Sequence, residues 1–114
     1  MKPDKSLLSG STTLLILSLL SGGDMYGYEM IAQLEARSDH TFTLKEGTLY
    51  PILHGLENEK AVTSYEKEAP SGRKRKYYHI TKKGLRLLEE KKAEWQVFSE
   101  KVNAIVTGAA GAMA

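Results

Sequence analysis

Residues 62–81 have the pattern of a two-stranded β-hairpin, whereas most of the remaining chain has the pattern of helices. Segments 62–68 and 75–81 are short and rich in Val, Thr, Tyr and Ile, and Pro70-Ser71-Gly72 between them favours a tight turn. The chain has 114 residues, which suits one domain with one core. The sequence therefore predicts a helical domain that carries one small hairpin.

An apolar segment near the amino terminus predicts a first helix that the rest of the protein encloses on most sides. Ser9 or Ser11 can cap its start, and Gly22-Gly23-Asp24 ends it in a turn. Its apolar residues are Leu14, Leu15, Ile16, Leu17, Leu19 and Leu20.

The same segment has an alternative interpretation as a signal peptide, because Lys2 and Lys5 precede it. Asp4 in the basic region and Ser18 within the apolar run argue against this. The run is also shorter than the ~20 residues that a membrane span needs. We therefore expect a buried helix in a cytoplasmic protein.

Two more helices are predicted before the hairpin. The second helix, at about 26–37, is followed by a short extended stretch, Thr41–Leu44. The third has apolar residues at positions i, i+3, i+4 and i+7. These are Leu49, Ile52, Leu53 and Leu56. It is expected to begin near Thr48, because Pro51 is best tolerated in a first turn; an earlier start implies a kink at Pro51.

A long helix follows the hairpin, capped by Thr81 and extending from about 82 to 107. Its apolar residues repeat every seven positions, and only Lys91 interrupts the seam. The seam consists of Leu88, Trp95, Phe98, Val102 and Ile105. An apolar stripe this far beyond the domain body needs a partner, and a second copy of the chain is the simplest one.

The order of elements predicts a mainly α fold with a small β-hairpin (α+β), a winged helix-turn-helix. Residues 1–81 would form the winged-helix, DNA-binding domain. Residues 82–107 would form the C-terminal dimerisation helix, and 108–114 a flexible tail. The hydrophobic fraction of 41% and the charged fraction of 26% exclude disorder over most of the chain and a multi-span membrane protein.

The positive charge is concentrated around the hairpin. The net charge is only +2, but segment 71–92 contains nine Lys and Arg and two Glu. A concentrated cationic patch on a nearly neutral protein indicates a polyanionic partner, with nucleic acid the first candidate and an anionic membrane the second.

The hairpin tip and one face of the third helix are the candidate DNA contacts. Arg73, Lys74 and Arg75, with Lys76 beside them, can approach phosphates and enter a minor groove. The polar residues of the helix that can reach base edges or phosphates are Lys45, Thr48, Tyr50 in part, and His54. Glu46, Glu57 and Glu59 repel phosphate, so only part of the helix can face DNA. The alternative is a solvated hairpin and an ordinary exposed helix face.

Other chemistry has little support. The chain has no cysteine, and His40, His54 and His79 have no metal-ligand spacing. No nucleophile, P-loop or dinucleotide motif is present. We therefore expect neither catalytic residues nor a metal or cofactor. Trp95, the single tryptophan, could pack against its copy in a dimer or leave a slot for a flat aromatic ligand.

Several sequence strings resemble the PadR family of transcriptional regulators. They are GSTTLLILSLL and MYGYEMI in the first two helices, EGTLYPILHGLE in the third, and SGRKRKYYHITKKG through the hairpin. The strings run in order over residues 10–84. The combination of GTLYP with GRKRKYYHIT is specific to the family, whereas either string alone is a moderate signal.

The resemblance implies a repressor whose dimer is held by the last helix packing on the partner's first helix. Its two recognition helices, at about 45–59, and two wings would bind a pseudo-palindromic operator in double-stranded DNA. A small aromatic effector would relieve repression. Trp95 is placed similarly to a ligand-stacking tryptophan of the multidrug-sensing branch, so Trp95, Phe98 and Ser99 would line the ligand site. Ser99 stands where that branch has an acidic residue.

The sequence departs from the family pattern at three places in the third helix. Lys45 stands where a capping Asn or Ser is common, and Gly55 where an arginine is common. Lys60 or Ala61 replaces the usual helix-ending glycine, so a left-handed residue there would be strained.

The sequence therefore supports a homodimeric, sequence-specific DNA-binding repressor, with an aromatic or hydrophobic effector at the dimer interface. The alternative is a winged-helix protein-interaction module that binds no specific duplex. A third class, a secreted or membrane-tethered protein, would require the first helix to be cleaved or inserted.

Overall fold

The computed structural model describes residues 5–108, which form five helices and three short strands. The elements are, in chain order, α1 Lys5–Ser9, α2 Thr12–Ser21, β1 Met25–Tyr26, α3 Gly27–Arg37, α4 Glu46–Asn58, β2 Val62–Glu68, β3 Lys74–Ile80 and α5 Lys82–Thr107. This is the predicted winged helix. Of the predicted tail, residues 109–114 lie outside the described residues.

The hairpin is confirmed, and a third strand joins it. Strands β2 and β3 pair antiparallel from Val62↔Ile80 to Glu68↔Lys74. Strand β1 pairs with the other edge of β3, which gives the order β1-β3-β2. Sequence reasoning missed β1 because two residues cannot show an alternating pattern. The extended stretch expected at Thr41–Leu44 is not a strand.

Helix α2 lies at the centre of the core, as its apolar sequence predicts. Ile16 and Leu17 are fully buried, and Leu20 is nearly so. The core residues that surround them come from α3, α4, β3 and α5. They include Met30, Leu34, Leu49, Leu53, Leu56, Tyr78, Ile80 and Leu88. Ser11 is the N-cap residue of α2, but its hydroxyl donates to the Leu8 carbonyl oxygen (3.1 Å) instead of capping α2.

Helix α4 begins at Glu46, two residues earlier than expected. Pro51 lies inside the helix and is exposed. A proline has no N–H to donate to the carbonyl four residues earlier, here that of Gly47. One bond near the start of a helix is a tolerable loss, so Pro51 does not determine where α4 begins.

A left-handed residue that is not glycine follows the end of α4, and this is the case in which the sequence predicts strain. Lys60 has φ 65°. The N–H of Ala61 donates to the Leu56 carbonyl (2.8 Å), and that of Lys60 donates to the Glu57 carbonyl (3.0 Å). These two bonds form a Schellman motif, whose left-handed position usually carries Gly because a Cβ costs roughly 1–2 kcal/mol there.

The start of α5 is fastened to this helix end. The Thr81 hydroxyl donates to the Lys60 carbonyl (2.7 Å) and accepts the N–H of Gly84 (3.1 Å), which caps α5 as expected. A Cβ on Gly84 would clash with the Ala61 carbonyl oxygen. Only glycine allows this approach, so the junction fixes the direction in which α5 leaves the domain.

Within residues 5–108, no helix combines the length and the hydropathy that crossing a bilayer requires.

Candidate nucleic-acid interface

The tip of the hairpin presents two cations to solvent. The turn is closed by the N–H of Ala69, which donates to the Arg73 carbonyl, and by the N–H of Gly72, which donates to the Ala69 carbonyl (both 2.8 Å). Gly72 has φ +85°, which favours glycine at this position. Arg73 and Lys74 are exposed, and neither forms an ion pair with a carboxylate of the described residues. Both cations are thus available to a polyanion.

Arg75 is held differently from these two residues. Its guanidinium carbon lies 4.5 Å from the centre of the Tyr26 ring, in a cation–π contact. On the same outer face of the sheet, the Tyr77 ring packs edge-on against Tyr26 and stacks on Tyr65. The Lys67 ammonium lies 5.7 Å from the centre of the Tyr77 ring. Arg75 is therefore only half exposed and packs on the tyrosine row, which consists of Tyr26, Tyr77 and Tyr65.

The next residue, Lys76, faces the opposite side of the sheet, towards α4. Its ammonium lies 3.9 Å from a carboxylate oxygen of Glu57. The Ser64 hydroxyl donates to the other oxygen of Glu57 (2.5 Å). The expectation that Glu57 repels phosphate therefore needs correction, because this carboxylate is half buried and joins α4 to the hairpin.

Three of the four candidate residues on α4 and at its N-cap are exposed. Lys45, Thr48 and His54 reach solvent, whereas Tyr50 is half buried. A Cβ on Gly27 would clash with the Tyr50 hydroxyl, so that ring lies directly across the first residue of α3. Tyr50 thus sets the contact between α3 and α4. That Tyr50 also contacts DNA in part stays a prediction.

Tyr28 lies beside the first residue of α4. It is 64% exposed, and the adjacent Glu46 carboxylate raises the pKa of its hydroxyl. Arg73 is close enough to oppose that rise, so the wing tip and the starts of α3 and α4 belong to one surface. Sequence reasoning missed Tyr26 and Tyr28, because only the pairing of β1 and the packing of α3 on α4 bring them to this surface.

Asp24, Tyr65 and His79 fasten the base of the wing to the loop after α2. The Tyr65 hydroxyl donates to Asp24 Oδ2 (2.7 Å), and His79 Nδ1 lies 2.8 Å from Asp24 Oδ1. The bond from Tyr65, followed by the contact with His79, lowers the pKa of Asp24 against a small opposing effect of burial. The same bond raises the pKa of Tyr65. Within residues 5–108, no group of three His, Asp or Glu side chains could hold a metal ion.

The predicted seam on α5 divides into two parts. Leu88 is only 2% exposed and packs in the core, so its assignment to a dimer interface needs correction. Its position repeats that of Trp95, but the first turns of α5 lie against α2. The exposed part of the seam consists of Trp95 (49%), Phe98 (62%), Val102 (38%) and Ile105 (80%).

The candidate ligand residues lie together on this exposed part. The rings of Trp95 and Phe98 have their centres 6.1 Å apart and are tilted by 33°. Ser99 is half buried, and its hydroxyl donates to the Gln96 carbonyl (3.1 Å). This bond within the helix occupies the donor of Ser99, so the hydroxyl offers a ligand only its oxygen.

An open groove of about 370 Å³ lies where α2, α4 and α5 meet, on the side of α4 that faces α5. Ile52, Leu56 and Leu87 contribute its apolar lining, and Glu59 and Lys91 its charges. Lys91 also forms an ion pair with Glu94 (3.9 Å). Lys91, the residue that interrupts the apolar seam, therefore forms an ion pair at the edge of this groove.

Known proteins share both this sequence pattern and this fold. The family model described as "Transcriptional regulator PadR-like family" matches residues 16–90. The transcriptional regulator YqjI of Escherichia coli (strain K12) is 32% identical over 101 residues, which are 89% of this chain and 47% of that protein.

Two solved structures of regulators resemble most of this chain. A transcriptional regulator from Clostridium thermocellum has a TM-score of 0.81 and 34% identity, covering 89% of this chain and 98% of that one. A PadR-like transcriptional regulator from Bacillus cereus has a TM-score of 0.76 and 40% identity, covering 89% and 96% of the two chains.

Proposed function

Because the chain belongs to the PadR-like family of transcriptional regulators, we propose that it represses transcription as a homodimer bound to a pseudo-palindromic operator. Like its relatives, it is a transcriptional regulator and not an enzyme. In the proposed division of work, residues 1–81 bind double-stranded DNA and residues 82–107 form the dimer. We propose that the protein acts in the cytoplasm.

The observation that carries the proposal is the pair of exposed cations at the wing tip, together with the exposed first turn of α4. In this arrangement α4 lies in the major groove, with Lys45 and Thr48 near its start and His54 further along. Arg73 and Lys74 neutralise phosphates at the groove edge. Arg75 contributes positive charge from its place on Tyr26, and Tyr50 positions α4 more than it contacts DNA.

The support for a homodimer is the exposed apolar seam of α5. Trp95, Phe98, Val102 and Ile105 are only partly covered by the described part of the chain, and burying their exposed apolar area would stabilise a complex by roughly 25 cal/mol per Å² before the cost of association. A two-fold axis through this seam presents two α4 helices to one face of the duplex. They must lie about 34–36 Å apart, one turn of DNA.

The proposed effector is a small aromatic molecule bound at the dimer interface beside Trp95, Phe98 and Ser99. The rings of Trp95 and Phe98 offer flat faces for stacking. A ligand wedged there changes the angle between the two α5 helices, and thereby the spacing of the two α4 helices. It relieves repression only if it prefers the spacing that does not fit DNA.

Tryptophan fluorescence tests the effector directly, because Trp95 is the single tryptophan. Planar aromatic compounds should quench the emission and lower the affinity for DNA. In Phe98→Ala, both effects should need higher ligand concentrations. Quenching with unchanged DNA affinity would leave a pocket without a switch.

The DNA-binding proposal is tested by fluorescence anisotropy of a labelled duplex from the gene's own upstream region, at several salt concentrations. Wild type should bind this duplex more tightly than a scrambled one. The Arg73→Ala/Lys74→Ala/Arg75→Ala variant should bind more weakly. Its log–log salt slope should be smaller by up to about 0.9 for each phosphate that the variant no longer neutralises.

The matched control for charge is Lys82→Ala/Lys83→Ala/Arg86→Ala, which removes three exposed cations from α5 instead of the wing. It should change the slope less than the wing variant. If the operator lies elsewhere in the genome, selection from a pool of random duplexes should identify a sequence that the protein binds. No binding to any duplex at physiological salt would favour a protein-interaction module and refute the proposal.

A further inference from the structure

The first turn of α4 presents one side chain that can only accept hydrogen bonds. Glu46, the first residue of the helix, is exposed. Its exposed neighbours are Lys45, a cation without an acceptor; Gly47, without a side chain; and Thr48, whose hydroxyl both donates and accepts. Among these four residues, only Glu46 has a side chain that accepts hydrogen bonds and cannot donate them, so only Glu46 selects for a donor on a base edge.

Packing between α3 and α4 holds Glu46 at this place. Tyr50 lies four residues after Glu46, on the same side of the helix, and its hydroxyl lies against Gly27. The residue after Gly27 is Tyr28, which lies beside Glu46. A hydroxyl engages one of about four acceptor positions of a carboxylate, so Glu46 keeps acceptor positions open on its exposed side.

The space in front of this turn is also open. A Cβ built on Gly47 would meet no heavy atom within 4 Å. A glycine in the first turn lets the backbone come close to a groove floor, and in helix-turn-helix proteins the N-terminal residues of the recognition helix are the ones that contact base edges.

We propose that Glu46, positioned by Tyr28, reads a cytosine in each half of the operator by accepting a hydrogen bond from the cytosine N4 amino group. This inference rests on the proposed DNA-binding function and adds a base preference to it. In the major groove the cytosine amino group is a donor, and Glu and Asp are the side chains that accept from it.

The negative charge of Glu46 makes this contact selective. A carboxylate brought near phosphates is repelled, and at a base that offers only acceptors, such as guanine O6 and N7, it is left without a partner. A cytosine compensates for the repulsion, whereas guanine and thymine, which offer only acceptors, do not. Adenine has an N6 donor, but the acceptors adenine N7 and thymine O4 flank it on both sides. Glu46 thus weakens binding to most sequences and favours one, which is how specificity against competitors arises.

Random-duplex selection followed by sequencing tests the proposal with four proteins: wild type, Glu46→Gln, Tyr28→Phe and Glu59→Gln. Wild type should enrich a cytosine at one position of each half-site, by about tenfold over other bases. Glu46→Gln should lose this preference and favour adenine there, because an amide pairs with adenine N6 and N7. Tyr28→Phe should weaken the cytosine preference without replacing it.

Glu59→Gln is the matched control, because it removes the same charge from the exposed opposite end of α4. It should tighten binding to all sequences alike and leave the motif unchanged. Thermal unfolding of each variant shows that it folds. If wild type enriches a motif and Glu46→Gln enriches the same one equally strongly, the base-reading role is refuted while DNA binding stands. If wild type enriches no motif, the proposed function fails and this inference with it.

Discussion

The guanidinium of Arg75 lies over the ring of Tyr26, with 4.5 Å between the guanidinium carbon and the ring centre. Strand β1 consists of two residues, Met25 and Tyr26, and pairs with the middle of β3. The contact therefore joins the wing to the segment that leads into α3. Of the three consecutive cations Arg73, Lys74 and Arg75, the last thus has a structural partner within the protein.

This difference among the cations predicts different effects on stability. A double-mutant cycle between Arg75→Ala and Tyr26→Leu should give a coupling free energy of about 0.5–1 kcal/mol, the usual range for an exposed cation–π contact. The same cycle with Arg73→Ala should give a coupling near zero, because Arg73 makes no contact with Tyr26. Urea denaturation measures both. Equal coupling in the two cycles would contradict the arrangement.

Lys60→Gly is expected to stabilise the protein by about 1 kcal/mol. The left-handed conformation of Lys60 costs roughly 1–2 kcal/mol, and a glycine relieves it at some cost in unfolded-state entropy. The control is Glu59→Gly at the preceding residue, which has φ −79° and gains nothing from glycine. In chemical denaturation, the unfolding midpoint should be higher than that of wild type for Lys60→Gly only. A lower midpoint for Lys60→Gly would show that Lys60 is not strained.

Asp24→Asn is expected to reduce stability at pH 5 and to have less effect at lower pH. The pKa of Asp24 is lower in the folded protein than in the unfolded chain, where it is about 3.9. The charged carboxylate therefore stabilises the fold above that value, and this contribution is lost as the pH falls through the folded value. Unfolding free energies across this range give the comparison.

Tyr65→Phe provides the control for the Asp24 prediction, because it removes the hydrogen bond that lowers the Asp24 pKa most. In the Tyr65→Phe background, the effect of Asp24→Asn should depend less on pH. An effect of Asp24→Asn that stays constant between about pH 5 and pH 2.5 would contradict the contact.

Emission from Trp95 should shift to shorter wavelength as protein concentration rises, because association covers a side chain that is 49% exposed in one protomer. Val102→Asp should abolish the shift by placing a charge on the seam. Val97→Asp is the matched control, since Val97 is exposed (58%) but lies off the seam. A shift that persists in Val102→Asp and is lost in Val97→Asp would place the interface on another face.

The sequence predicts the main elements because their signals are local. The spacing of Leu49, Leu53 and Leu56 identifies α4, and Pro70-Ser71-Gly72 identifies the turn between the two longer strands. Strand β1 has no such signal, since pairing with β3 alone makes it a strand. In the same way, Leu88 and Trp95 occupy the same heptad position. Only the packing of α5 on α2 makes Leu88 a core residue and leaves Trp95 exposed.

In the candidate site, too, the sequence shows local features but not the contacts between elements. That the hairpin tip is basic is visible in the sequence, and so is the polar face of α4. The roles of individual charges depend on strand register and helix packing. Register places Arg75 on the tyrosine row and Lys76 against Glu57, and the packing of Tyr50 on Gly27 brings Tyr28 beside Glu46.

The central claim is that two copies of the chain, joined through α5, place their α4 helices and wings on one face of the same duplex. Hydroxyl-radical footprinting of the best duplex from the selection tests this directly. We predict two protected patches related by two-fold symmetry, with centres about 10–10.5 base pairs apart or a multiple of that distance. A single protected patch, or uniform weak protection along the duplex, would contradict the account.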